Sequence, residues 1–217
     1  MKRLTLFAGH YGSGKTNLAV NYAMMLKEKG LDVIIADLDI VNPYFRTKDS
    51  ETELEAKGIE LISSRFANSN LDIPSIPQEM YRTVQDKSKY AVMDIGGDDA
   101  GAIALGRFAP YITEEDNYDM VFVVNFYRPL SRTASEALQI MREIEAASKL
   151  RFTSIVNNSN LGEMTSADDV LSTKEETEKL SALSGLPLKF TSVNESVYNQ
   201  LNNKTNLFCL ALQNKIF

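Results

Sequence analysis

Apolar runs bounded by turn residues recur along the chain. They fall at 4–9 (LTLFAG), 32–39 (DVIIADLD), 58–63 (GIELIS), 89–97 (KYAVMDIGG), 119–126 (DMVFVVNF) and 151–158 (RFTSIVNN), with a shorter one at 186–192 (LPLKFTS). These runs are apolar throughout and rich in Val, Ile and Phe, rather than strictly alternating. That is the pattern of strands buried on both faces, as in a parallel sheet. Helical periodicity lies between several of them. Residues 15–29 put Leu18, Ala19, Tyr22, Met25 and Leu26 on one face, and Gly30 stops them. Residues 132–149 carry Ala134, Leu138, Met141 and Ile144, and a further pattern at 173–184 ends at Gly185 and Pro187. Strand, helix and strand at this spacing predict right-handed crossovers. The expected fold is α/β: a doubly wound, mostly parallel sheet of about seven strands with helices on both faces. No internal repeat, linker or low-complexity tract divides residues 1–217, so one domain is expected. The least patterned region, 42–88, lies between two strands that bear acidic residues.

Composition narrows the chemistry. The 29 acidic and 23 basic residues give a formal net charge of -6, which argues against general binding to nucleic acid or to an anionic membrane surface. No run reaches the roughly 18 apolar residues of a membrane span. The opening MKRLTLFAG has too short an apolar part for a signal peptide and reads as a first strand. The sequence has one cysteine, Cys209, and one histidine, His10. A Cys/His zinc site or a metal cluster cannot be built from that pair within one chain, nor can a disulfide. A cytoplasmic location fits this usage.

Residues 9–16 read Gly-His-Tyr-Gly-Ser-Gly-Lys-Thr and fit G-x-x-x-x-G-K-[ST], with a strand before and a helix after. Glycines let successive backbone N–H groups curl around a phosphate, and the following helix adds its positive end. Gly9, Gly12, Ser13, Gly14, Lys15, Thr16 and Asn17 are therefore candidate phosphate-binding residues. Lys15 is suited to the β- and γ-phosphates and the Thr16 hydroxyl to Mg²⁺. Two acidic stretches supply further groups. One, IIADLDIVNP, carries Asp37 and Asp39; the other, YAVMDIGGDDAG, carries Asp94 followed by Gly96 and Gly97. Ligands of open α/β sheets sit at the carboxyl ends of strands, so these stretches point at the same crevice as residues 9–16. An aspartate there can hold Mg²⁺ or orient an attacking water. A glycine such as Gly97 can give its N–H to the γ-phosphate with no side chain in the way.

The motifs and their order resemble the CobQ/CobB/MinD/ParA nucleotide-binding family, the nitrogenase-iron-protein-like branch of P-loop NTPases. The resemblance implies that Asp39 positions water, that Asp94 stands behind Mg²⁺, and that Asp94-Ile95-Gly96-Gly97 is a nucleotide switch. It also implies that Asn157, in SIVNNSNLG, reads adenine, with the loop 191–196 closing over the base. The chain departs from that family at position 10. His10 stands where the MinD/ParA group has a lysine that reaches a partner's phosphates. A histidine is shorter and mostly neutral at pH 7, so a nucleotide-sandwich dimer is not expected, and His10 is expected to face solvent.

The cofactors implied are ATP and Mg²⁺, and the implied function is a slow ATPase that switches or assembles a protein partner, contacted through region 42–88. Two alternatives stay open. One is an ATP-dependent small-molecule ligase or kinase resembling dethiobiotin synthetase. The other resembles the metallochaperone GTPases, which use N-K-x-D for guanine where this chain has Asn157-Asn158-Ser159-Asn160. Arg128 and Arg132, just after a strand, could touch the γ-phosphate or a neighbouring subunit but are expected to be solvated, with Thr133 and Glu136 capping the next helix. The tail, 203–217, carries only Lys204 and Lys215 as basic residues. It is expected to pack on the sheet rather than bind a membrane, with Cys209 in the core.

Overall fold

The computed structural model describes residues 1–38, 51–63 and 76–210. Eight strands form a single sheet among these residues, all pairings parallel: β1 (Leu4–Ala8), β2 (Val33–Leu38), β3 (Glu60–Ser63), β4 (Tyr90–Ile95), β5 (Tyr118–Val124), β6 (Ser154–Asn157), β7 (Leu188–Asn194) and β8 (Leu207–Leu210). Their spatial order is β3-β2-β4-β1-β5-β6-β7-β8. All seven expected strands form. The eighth comes from the tail, which packs on the sheet by pairing Thr191 to Asn194 with Leu207 to Leu210 at its edge. Cys209 lies on this edge strand and is exposed, not in the core. An edge strand has one flank and part of its faces open to water.

The helices of the described chain are α1 (Lys15–Glu28), α2 (Glu51–Ala56), α3 (Arg82–Gln85), α4 (Asp99–Gly106), α5 (Ala109–Glu115), α6 (Ala134–Ser148), α7 (Ala167–Ser172), α8 (Lys174–Ser184) and α9 (Glu195–Gln200). The sheet divides two cores. Leu6, Met93 and Phe122 face α4, α5, α6 and α8, through Leu105, Ile112, Met141 and Leu180. Phe7, Val92 and Val121 face α1 and α2, through Leu18, Tyr22 and Leu54. Burying each such side chain contributes about 1.5–3 kcal/mol. Two helices here, α4 and α5, had no counterpart in the hydrophobic pattern. Their sequence, DAGAIALGRFAPYITEE, is apolar on too many sides to give a clear stripe.

The topology places one crevice. β1 is central, with β4 on one side and β5 on the other. The chain leaves β1 toward β2 and β3, returns through β4, and only then crosses to β5. The loop after β1 therefore opens at the point where the strand order reverses. Phe7 and Tyr22 meet edge to face at 5.3 Å, locking the strand before that loop to the helix after it.

Candidate functional site

The loop from Gly9 to Gly14 joins β1 to α1. Gly14 occupies the N-cap position at φ 85°, a left-handed conformation that favours glycine. No side chain caps α1. Helices α4, α6, α7 and α9 are instead capped by Asp98, Thr133, Ser166 and Asn194. The open amides and positive end of α1 therefore remain directed at the loop. The Lys15 ammonium curls back to donate to the His10 carbonyl at 3.2 Å, and the Ser13 N–H donates to the same oxygen at 3.2 Å. Lys15, Thr16 and Ser13 are all buried. The Ser13 hydroxyl has no hydrogen-bond partner. A buried hydroxyl left unmatched costs about 1–3 kcal/mol, and this one sits beside the first amides of α1.

Gly97 closes the cradle from β4. A Cβ there would lie 2.7 Å from the Tyr11 amide nitrogen and 2.8 Å from the Lys15 ammonium. Only a glycine lets this backbone reach the loop. Asp98 then caps α4 by accepting from the Gly101 N–H at 2.9 Å, which fixes the turn that carries Gly97.

Asp94 lies at the end of β4, and its register partners are Phe7 of β1 and Asp37 of β2. Strand alternation puts Asp94 and Asp37 on the face of Val92 and Ile35, the face that α1 covers. Both are buried, as is Thr16 in the first turn of α1. Carboxylates this deep are kept where hydrogen bonds or cations offset their desolvation, and hard oxygen donors of this kind suit Mg²⁺. The sequence offers Asp37 and Asp39 together, as site or strand-end residues, and the family resemblance gives roles to Asp39 and Asp94. Asp39 lies outside the described residues; Asp37 is the one that pairs in register with Asp94. The even spacing of a strand, which puts residues 35 and 37 on one face, was the signal available.

Beyond the loop, a polar network joins the ends of β5, β6 and β7. The Asn158 amide donates to the Ser13 carbonyl at 2.6 Å and accepts from the Ser192 hydroxyl at 2.6 Å. Asn157 is buried; its amide donates to Thr173 at 2.9 Å and accepts from the Ser159 N–H at 3.0 Å. Asn125 on the β5 side accepts from the Tyr127 N–H at 3.0 Å and donates to the Asn160 carbonyl at 3.2 Å. Asn158 reads from the sequence equally as a base-site or a turn residue, and Asn125 gives no signal there. Asparagines at strand ends look like ordinary turn residues until the neighbouring strand is known.

A cleft of about 90 Å³ opens beside this network, against the start of α1. Gly14, Asn17, Asn160, Thr165, Asn194 and Leu210 are among its walls, and every described residue lining it is uncharged.

His10 is half-buried, with Nδ1 3.0 Å from the Tyr11 carbonyl. Thr133 and Glu136 form the expected capping box on α6. Arg128 is exposed, and its Nε donates to the Gly12 carbonyl at 3.0 Å, so its side chain lies along the loop. Among the described residues no group of three or more His, Cys, Asp or Glu side chains could hold a metal ion by itself, and no helix is long and apolar enough to cross a membrane.

The sequence matches no family model and no curated protein. The fold, however, has clear counterparts among solved structures. The signal recognition particle receptor FtsY from Elizabethkingia anophelis superposes with a TM-score of 0.58 at 16% identity, over 94% of this chain and 63% of that one. FtsY from Thermotoga maritima gives 0.57 at 16%, over 88% and 61%. The signal recognition particle 54 kDa protein from Aeropyrum pernix K1, solved in complex with GDP, gives 0.55 at 17%, over 87% and 40%. The chain thus spans less than two thirds of the length of these neighbours.

Proposed function

We propose that this chain binds ATP with Mg²⁺, hydrolyses it slowly, and uses the cycle as a regulatory or assembly switch on a protein partner. The observation that carries the reading is the cradle itself. Uncapped α1 amides, the buried Lys15 and the orphan Ser13 hydroxyl converge on one side, and the Gly97 backbone closes the other. That arrangement fits a polyphosphate and leaves little room for another ligand class. Gly9, Gly12, Gly14, Thr16 and Asn17 complete the phosphate-binding set. Thr16 and Asp94, joined by Asp37, would hold Mg²⁺, which supplies charge neutralisation at the phosphates. Asp39 keeps the water-orienting role that the family resemblance implies.

The uncharged cleft supports adenine over guanine. Guanine offers two adjacent donors on its pairing edge, best met by a carboxylate; adenine offers one donor and one acceptor, which amides and backbone groups match. The Asn157 amide is engaged by Thr173 and Ser159, so its contribution to base reading would be to hold the loop that Asn158 and Asn160 carry. Exposed Tyr11 and Leu130 beside the phosphate loop support a protein partner. Much of region 42–88, the other partner surface expected, lies outside the described residues.

Titration calorimetry with ATP and GTP in Mg²⁺ tests the assignment. ATP should bind more tightly, and Asp39→Ala should keep ATP binding while losing hydrolysis, because a water-orienting group acts only in the transition state. Equal loss of binding and turnover would make Asp39 a binding residue instead.

A further inference from the structure

We infer that Arg128 is a phosphate-binding residue supplied by the chain to its own site, contacting the terminal phosphate of a bound nucleoside triphosphate from the outer rim of the loop. The inference rests on the nucleotide reading above and adds a residue to it.

Three observations lead there. First, Arg128 is held against the phosphate loop. Its Nε donates to the Gly12 carbonyl at 3.0 Å, and its Cδ and Cζ lie 3.7 and 3.9 Å from where a Gly12 Cβ would stand. Only one of the five guanidinium N–H groups is used in that bond, so the Nη donors remain for an oxyanion. Second, Arg128 is exposed and, like Arg107 and Arg132, forms no ion pair with a carboxylate of the described residues, whereas Arg3, Arg82, Arg142 and Arg151 each have one. Arg128 differs in being hydrogen-bonded to the loop, so an oxyanion held there would meet a guanidinium already placed beside it.

Third, the loop that carries it is pinned more firmly than an exposed turn requires. The Arg128 N–H donates to the Asn125 carbonyl, the Ser131 hydroxyl donates to the same oxygen at 2.8 Å, and the Tyr127 hydroxyl reaches the Asp169 carbonyl at 2.8 Å. Within it Leu130 adopts φ 68°, a left-handed conformation costly for a leucine. Strain of this kind persists where surrounding bonds over-determine the backbone, and it clusters at ligand clamps. The same Asn125 bonds the base-side loop through Asn160, so the arginine and the cleft are positioned by one network. Position 10 lacks a lysine that could reach a phosphate; Arg128 supplies a permanent charge on the same rim without a second chain.

The test is a titration of the non-hydrolysable analogue β,γ-imido-ATP and of ADP, each with MgCl₂, into wild type, Arg128→Ala and Arg128→Lys, with thermal melts to check folding. Arg128→Ala should weaken the triphosphate analogue about tenfold or more while changing ADP much less, and Arg128→Lys should recover part of the loss. Unchanged affinity for both ligands would overturn the proposal. An equal loss for both, restored by lysine, would also overturn it and make Arg128 a brace on Gly12 alone. If wild type binds neither ligand, the nucleotide reading fails first, and this proposal fails with it.

Discussion

The two ends of the sheet spend their buried polar groups differently. At the amino end, charges answer one another. Arg3 clasps Glu115 through Nε and Nη2, and its Nη1 donates to the Thr83 and Lys89 carbonyls, each at 3.0 Å. Asp119 is met by Lys189, Thr153 and Ser154. At the carboxyl end stand the α1 amides, two buried aspartates in register, the Ser13 hydroxyl without a hydrogen-bond partner and the Arg128 guanidinium without an ion pair among the described residues. The amino end is closed electrostatically, as a structural seam is. The carboxyl end instead gathers polar groups from several loops and strand ends, which is where open α/β sheets place their ligands.

The contrast can be broken from either side. The largest effect should come from the amino end. Glu115→Ala leaves the Arg3 guanidinium buried without its carboxylate and should cost about 3 kcal/mol of stability. Urea unfolding would read this, with ATP affinity little changed once the variant is folded. If affinity collapses too, the two ends are coupled and the division is wrong.

Lys15→Ala reverses the pattern. It should weaken ATP by roughly 1.5–3 kcal/mol, the worth of a charge-assisted phosphate contact, with a small change in unfolding midpoint. A large destabilisation without loss of binding would assign Lys15 to structure.

The smallest effect sharpens the comparison through pH. Arg3 holds the Glu115 carboxyl below the usual carboxylate range. Burial pushes Asp119 up, but the bonds and charge of Lys189 with Thr153 and Ser154 reverse it and leave it lowered. Both groups therefore stabilise the fold above their unfolded pKa values, about 4, and lose that contribution as pH falls through the lower folded values. Unfolding free energy should fall as pH drops below about 4, and Glu115→Gln should flatten the slope. An unchanged slope in that variant would remove Glu115 from the acid response.

The residues legible in advance were those whose chemistry is local. The loop 9–16 is read from contiguous residues because one turn of backbone builds it. Strands 4–8, 33–38 and 90–95 are read from unbroken apolar runs because both faces are covered. Helix α6 is read from its stripe and its Thr133–Glu136 box. β8 was legible only as an amphipathic segment, since pairing with β7 depends on where the sheet edge falls, and the exposure of Cys209 follows from that edge.

What the sequence by itself determined is the parallel α/β fold and the glycine-rich turn between β1 and α1, because apolar periodicity and glycine spacing act over a few residues. Tertiary structure alone decided that Asp37 stands beside Asp94, that Asn158 ties Ser13 to Ser192, and that Arg128 rests on Gly12. Each of these contacts joins strand ends or loops far apart in the chain, and only the strand order β3-β2-β4-β1-β5-β6-β7-β8 makes them neighbours. The apolar pattern specifies which residues are buried, but not which strand lies next to which.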